Sequence, residues 1–387
     1  MPLSESLTER PFELPKEPFT LGSLEFYWRE NYDWFLKHGY QLRSRYHPNW
    51  IPSWKLDTNL SPTAAEDSIG ISPSSLNDAT RLSDGKHVVL KQMMQFPEEV
   101  HILQYFSSPE LSSSARNHSV PIFEVLHPPH GPENCDVVVM PILRAVDNPD
   151  FSTIGEAVDF IRQILEGFQF LHEHRVAHRD VRIENLMMDS TPLGFERFHF
   201  MRPNKTHDAT GRVKARLSRT EARPKYYITD FGHASQWSPE DMPVLTLPRI
   251  ASDHTLPELQ HMNTPCDPFA CDVYYVGNML QTYFISGHPE WDNRNGCHGF
   301  RFLTPLVKAM TKKRPQERIT MKQAVERFEE CVTRLSENKL RSRLARKSGR
   351  HVYADSIRER WAKHKAWRKQ KEQYIQRGLP AIPSGTI

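Results

Sequence analysis

The sequence predicts an α+β protein of two lobes, a small strand-rich lobe followed by a larger helical one. Three observations carry that expectation. Short β-branched runs separated by turn residues fill residues 68–143. After residue 152 the spacing of apolar residues becomes helical. The chain has 387 residues, 38% of them hydrophobic and 25% charged, which suits a large globular core and not a fibrous or disordered chain. The expected division is an aromatic-rich N-terminal extension over 1–67, a first lobe over 68–143, a second lobe over 144–336 with a basic insertion at 191–225, and a basic helical tail over 337–387.

The elements follow in order. Residues 1–19 are polar and Pro-rich and predict no stable element. Leu24, Tyr27, Trp28, Tyr32, Trp34 and Phe35 recur at spacings that allow a helix between Leu21 and Leu42. The aromatic segment Arg45–Trp54 that follows reads as a surface packed on the next lobe, with a partner-binding patch as the alternative. Asp84-Gly85 before His87-Val88-Val89-Leu90-Lys91 is a hairpin signal. Val120–Leu126 and Val137–Leu143 predict two more strands, and Glu98–Phe106 a helix between the hairpin and the first of these. In the second lobe, Val158, Ile161, Ile164, Leu165, Phe168 and Leu171 mark a long amphipathic helix over 154–174. Further helices are expected over 272–286, 302–311 and 321–336, and Ser356–Arg377 predicts a basic one.

Charge is partitioned along the chain. The 50 Lys and Arg against 47 Asp and Glu leave a net +3, which excludes a uniformly basic nucleic-acid coat. The total hides a segregation: residues 338–377 carry +11 and the remainder −8. Such a tail could bind an anionic lipid surface, nucleic acid or an acidic partner, or lie across the acidic body. Five scattered cysteines without metal-ligand spacing, no signal peptide and no apolar run of membrane-spanning length predict a cytoplasmic or nuclear protein.

Two motifs carry chemistry. His178-Arg179-Asp180-Val181-Arg182-Ile183-Glu184-Asn185 follows the long helix, and Thr229-Asp230-Phe231-Gly232 follows a β-type run. A carboxylate, an amide five residues later and a second carboxylate after a strand suit phosphoryl transfer. That reaction needs a metal ion held against phosphate oxygens and a group that orients the attacking hydroxyl. On these residues the chain resembles the eukaryotic protein kinases, through their H-R-D-x-x-x-x-N and D-F-G signatures. Other landmarks stand in the family's order: Val88-Val89-Leu90-Lys91, Glu99, the hinge-like Val139–Leu143, Pro257-Glu258, Asp272 and Arg318.

The resemblance covers about residues 68–336 and implies the two-lobed protein-kinase-like fold with ATP and Mg²⁺ as cofactors and a protein as substrate. It implies that Asp180 orients the substrate hydroxyl, that Asn185 and Asp230 hold the metal, and that Lys91, paired with Glu99, steadies the phosphates. Arg182 stands where serine/threonine kinases usually have Lys and would neutralise the γ-phosphate. Met140 as gatekeeper, Leu143, Leu186 and Gly70 would line the nucleotide. Glu258 and Arg318 would form a buried ion pair, and Asp272 would brace the catalytic loop. Arg179 would suit a phosphorylated activation segment, with Thr246, Ser252 and Thr255 as candidates. The aromatic N-terminal segment, the short Lys91-to-Glu99 spacing and Asp267-Pro268-Phe269 also resemble a divergent group of fungal kinase-like proteins.

Three departures qualify the implication. The glycine loop, expected at Ile69–Leu76, keeps one glycine of the usual three, so phosphates would meet a stiffer and bulkier lid. The insertion at 191–225 is rich in Arg and Lys and reads as a docking loop for an acidic partner or as a solvated loop. Arg249–Leu256 lacks the family's usual threonine signature. The function expected is therefore ATP-dependent phosphoryl transfer to protein hydroxyls, Ser/Thr favoured, with a nucleotide-binding or scaffolding pseudokinase as the alternative. A small-molecule kinase shares part of the first motif, but Asp230-Phe231-Gly232, Pro257-Glu258 and Asp272 disfavour it.

Overall fold

The computed structural model describes residues 19–73, 75–93, 97–131, 135–287, 295–347 and 357–384. The Pro-rich stretch before residue 19 lies outside them, as does Ser74 of the expected glycine loop. The chain divides into two compact units, the small β-rich and the larger helical lobe of the α+β fold.

The first unit is built on five antiparallel strands: β1 (Tyr40–Leu42), β2 (Leu76–Arg81), β3 (His87–Met93), β4 (Glu124–Leu126) and β5 (Asp136–Pro141), in the order β1-β2-β3-β5-β4. The hairpin signal holds because Gly85 takes the left-handed φ of 69° that the β2–β3 turn requires, and Asp84 Oδ1 accepts from the Lys86 N–H at 3.1 Å. β4 starts only at Glu124, downstream of the expected Val120, since Pro121 has no N–H for a ladder.

The expected helix over 21–42 is split. α1 (Phe26–Glu30) and α2 (Tyr32–Lys37) meet at Asn31, whose amide donates to the Tyr27 and His130 carbonyls at 2.9 Å. Gly39, at φ 87°, then turns the chain into β1. Trp28, Phe35 and Tyr46 are fully buried against Leu42, Val88, Leu90 and Val139. Residues 19–67, set apart in the sequence reading as an extension, thus supply the first strand and much of the core of this unit. The aromatic segment is fixed inside it: Trp50 Nε1 and the Ser53 N–H both donate to Asp67 at 2.9 Å.

The first unit also takes in residues 195–215 of the insertion. Phe198–His199 pairs antiparallel with Arg202–Thr206, Arg197 donates to Thr80 Oγ1 at 2.6 Å, and His199 bonds Glu66 at 3.1 Å. The helix expected at Glu98 is α3 (Pro97–Phe106).

The second unit is organised on α4 (Ile154–Glu173), capped by Thr153, whose hydroxyl accepts from the Glu156 N–H at 3.1 Å. Fifteen of its 20 residues are buried. Gly167 is required there, since a Cβ would stand 2.7 Å from that of His118. α5 (Pro268–Leu280) is capped by Asp267 and begins four residues before the expected Asp272. It runs into a wider turn over Gln281–Ile285. α6 (Thr304–Met310) and α7 (Met321–Thr333) follow, and Glu329 on α7 makes a two-bond ion pair with Arg162 on α4.

The end of the insertion belongs to this unit. Arg219 is 2% exposed and donates to the Val146 and Pro149 carbonyls and to Tyr226 Oη, and Arg223 pairs with Asp159 at 2.8 Å. Three arginines of the insertion, Arg197, Arg219 and Arg223, serve packing within the units, while Arg212, Lys214 and Arg216 stay exposed. The basic tail forms α8 (Ile357–Gln376). Its C-terminal turn is seated by Tyr374, whose hydroxyl meets Ser218 Oγ at 2.6 Å, and by the Arg377–Glu221 pair. Trp361 near its start is 71% exposed. Among the described residues no helix is long and apolar enough to cross a membrane.

Candidate active site

In the first unit, β3 delivers Lys91. Its ladder neighbours are Leu76 on β2 and Val138 on β5, so the strand is held on both sides and the amine has a fixed origin. Lys91 Nζ lies 2.6 Å from Glu99 Oε1, with the glutamate side chain 3% and the lysine 17% exposed. α3 opens at Pro97, which places Glu99 in its first turn. The helix starts late enough to bring the two together despite the short spacing. An ammonium held beside a buried carboxylate is the kind of group that can meet an anionic ligand. Met140 lies opposite Val89 on β5.

Gly70 lies in the long connection between the first two strands of the sheet. The first two strands of the sheet are β1 and β2, and residues 43–75 connect them. This long connection carries its own buried polar network: Arg45 forms two bonds to Glu25 at 3.1 and 3.0 Å, Tyr46 donates to Glu25 at 2.9 Å, and Arg43 holds Glu66 and the Ile69 carbonyl. Gly70 sits on the Glu25–Arg45 pair, where a Cβ would make contacts of 3.5 Å and longer. Those are ordinary packing distances, so the position does not demand glycine.

In the second unit, the loop after α4 is clamped from α5. Asp272, fully buried, accepts the backbone N–H groups of His178 and Arg179, both at 2.7 Å, and His172 Nε2 at 3.1 Å. Arg179 is thereby held at φ 67°, which a non-glycine L-residue seldom adopts. Burial, with Arg249 adding to it, lowers the Arg179 pKa. Its guanidinium donates to the Leu247 carbonyl at 2.7 Å.

The next residue, Asp180, is aimed by this turn. Asn185 Nδ2 donates to its carbonyl at 2.9 Å and to Oδ2 at 3.1 Å. Arg182 Nε lies 3.3 Å from Asn185 Oδ1 and 3.9 Å from Asp180 Oδ2. Ser252 completes the cluster: its N–H donates to Asp180 Oδ1 at 2.8 Å and its hydroxyl to Oδ2 at 3.3 Å. Ser252, expected from the sequence only as a candidate phosphorylation site, thus lies directly against the Asp180 carboxylate.

Asp230 ends a strand, Tyr226–Ile228, that pairs with Leu186–Met188. It takes φ 62°, a turn supported by the Thr229 N–H and hydroxyl bonds to the Asn185 carbonyl at 2.8 and 3.0 Å. Phe231 is fully buried beside the His178 ring, with centroids 5.1 Å apart, and His178 Nε2 donates to the Thr229 carbonyl at 3.0 Å. Asn185 and Asp230 are therefore tied to one another through the backbone. Leu186 and Leu143 are buried in this unit. Further along, Arg318 makes a two-bond pair with Glu258 at 2.6 and 2.8 Å. Thr255 is bonded to Asp253 at 2.6 Å, and the Thr246 backbone pairs with Cys266.

A sheet that carries a lysine–glutamate pair, with a helical unit that holds an Asp–Asn loop under a buried aspartate, defines a phosphotransferase architecture. The family model described as "Protein kinase domain" matches residues 83–328, and the chain belongs to that family. Among curated proteins it is similar to "Serine/threonine-protein kinase PLK4" of Drosophila persimilis and of Drosophila willistoni, 25% identical to each over 191 residues. These cover 45% of this chain and 20% and 19% of the relatives. The chain thus spans about a fifth of the length of the relatives it matches.

Proposed function

We propose that this chain transfers the γ-phosphoryl group of ATP to a hydroxyl of a protein substrate, with Ser or Thr favoured. The observation that carries the reading is the set of bonds on Asp180. One carboxylate oxygen accepts from Asn185 and the Ser252 hydroxyl, the other from the Ser252 N–H. That supports a carboxylate oriented to receive a hydroxyl proton, and a hydroxyl-bearing segment beside it. Asn185 and Asp230 offer hard oxygen donors, the set that suits Mg²⁺; they would hold the ion, which when bound neutralises phosphate charge. Lys91 would steady the phosphates, Arg182 would add charge near the transferred group, and Met140, Leu143 and Leu186 would face the base.

One observation favours the second reading, a pseudokinase that binds nucleotide or scaffolds a partner: the folded connection over 43–75 stands where the family has a short glycine-rich turn. The five free cysteines fit a reducing compartment, cytoplasm or nucleus. The exposed Lys365, Arg368 and Lys369 of α8 would offer an acidic lipid, nucleic acid or acidic protein a basic surface, read as salt-sensitive binding.

The test is transfer of radiolabelled phosphate from ATP to generic protein substrates by the full chain, with Asp180→Asn and Lys91→Met as controls. The kinase reading requires transfer by the wild type and its loss in both variants. Transfer that persists in both overturns it. Absence of transfer together with stabilisation by Mg²⁺ and ATP establishes the pseudokinase reading instead.

A further inference from the structure

The insertion is joined to the β2–β3 hairpin by three side chains that catalysis does not use. Asp78 on β2, His87 on β3 and His207 just after the Arg202–Thr206 strand each present a ligand atom, and these atoms all lie within 4.8 Å of one another. In the β2–β3 register Asp78 faces Val89 and Thr80 faces His87. Asp78 and His87 therefore project from the same side of the ladder, diagonal neighbours, and Lys91 projects from that side too. The His87 and His207 rings stack with centroids 5.1 Å apart.

We propose that Asp78, His87 and His207 form a zinc site that fastens the insertion to the strand bearing Lys91. The donor set is two imidazoles and a carboxylate, which matches zinc with a fourth position for water. The carboxylate has capacity to spare. Asp78 is 2% exposed; His87 Nε2 bonds its Oδ2 at 2.7 Å, while its buried Oδ1 has no hydrogen-bond partner. A buried carboxylate oxygen left unbonded is costly, and a cation satisfies it. A tetrahedral zinc with bonds of about 2.0–2.1 Å holds its ligand atoms ~3.4 Å apart, so small side-chain rotations close the site.

The surroundings place two arginines nearby. Arg43, close to Asp78, is bonded through Nε and Nη2 to the Glu66 side chain and to the Glu66 and Ile69 carbonyls, while its buried Nη1 has no hydrogen-bond partner. Arg197, close to His207, donates to Thr80. Bound metal would displace the His87–Asp78 hydrogen bond and give the hairpin of the insertion a fixed seat on β2 and β3. Because His87 and Lys91 are on one strand, loading the site would also stiffen the origin of the phosphate-facing amine.

The experiment uses the full chain stripped with a chelator and then titrated with ZnCl₂ by calorimetry, and with Co²⁺ by absorption. The expected result is one metal per chain, a Co²⁺ spectrum without thiolate charge transfer, and slower amide exchange over residues 198–207 on zinc addition. His207→Gln and, independently, His87→Gln should each weaken binding roughly 10–100-fold or more, since loss of an outer-sphere partner alone costs that much. His38→Gln, at an exposed ring elsewhere in the unit, should leave it unchanged. His207→Gln changes a half-buried side chain, so it reads the site even where an Asp78 variant fails to fold. No saturable zinc binding overturns the proposal. So does binding that survives both histidine variants, or a spectrum showing thiolate ligation, which would assign the metal to cysteine.

Discussion

Replacing Asp272 by alanine tests the clamp on the catalytic loop most directly. The carboxylate is fully buried and accepts two backbone N–H bonds at 2.7 Å, from His178 and Arg179. A hydrogen bond to a charged group contributes about 1.5–3 kcal/mol, and leaving its buried donor unpaired costs a similar amount. Losing both would cost about 3–6 kcal/mol. Release of Arg179 from φ 67° returns roughly 1–2 kcal/mol, so the net loss is about 1–5 kcal/mol. For a unit of this size that is a fall in Tm of about 2–20 °C. Asp272→Asn keeps one acceptor oxygen but turns an amide N–H₂ toward a backbone donor, and should fall between wild type and Asp272→Ala. Thermal and urea unfolding of the full chain, followed by circular dichroism, provide the measurement. A Tm change under about 2 °C for Asp272→Ala would refute the claim that these bonds hold the loop.

Four further outcomes follow from named contacts. Arg318→Ala strands the buried Glu258 carboxylate and should cost about 3–5 kcal/mol in urea unfolding; a loss below 1 kcal/mol would show that the pair is dispensable. Arg219→Ala removes bonds to the Val146 and Pro149 carbonyls and Tyr226 and should cost about 2–4 kcal/mol, with an unchanged midpoint counting against a structural role for the insertion. Asp180→Asn should abolish phosphate transfer with Tm within about 2 °C of wild type, and a large drop in Tm would make its role structural. Burial pushes the His118 pKa down to about 4, outweighing the Tyr226 carbonyl that its ring bonds at 2.7 Å. The unfolded chain takes up that proton near pH 6.5 and the native chain resists it, so this contribution is complete above about 6.5 and is lost as pH falls toward 4, by up to ~1.4 kcal/mol per unit. In His118→Asn the acid limb of stability against pH should be shallower, and parallel limbs would remove His118 from the account.

Much of the second unit was legible because its chemistry is local. The apolar spacing over 154–174 and the residues Asp180, Asn185 and Asp230 are all readable within one helix or one short loop. The hairpin at Asp84-Gly85 was legible for the same reason, since only glycine takes that turn without strain. What was misplaced depends on pairing across long stretches of chain. Tyr40–Leu42 carries no mark of a strand by itself; it becomes one because its ladder is completed by β2, more than thirty residues on. The length of the connection between β1 and β2, with Gly70 packed near the Glu25–Arg45 pair, is likewise invisible until that ladder forms.

The charge pattern shows the same division. Sequence alone established that the chain is an acidic body with a basic tail and that it carries the ordered residues of a protein kinase domain, because charge and motif order are properties of the chain itself. Tertiary structure decided where the charges act. Arg219 and Arg223, read as part of a basic surface, are drawn inward because buried carbonyls and the Asp159 carboxylate need partners there. Ser252 reaches Asp180 across 72 residues, and His207 reaches Asp78 and His87 across more than a hundred. No local propensity encodes such meetings. They arise when apolar burial brings distant segments together and each buried polar group must find a partner.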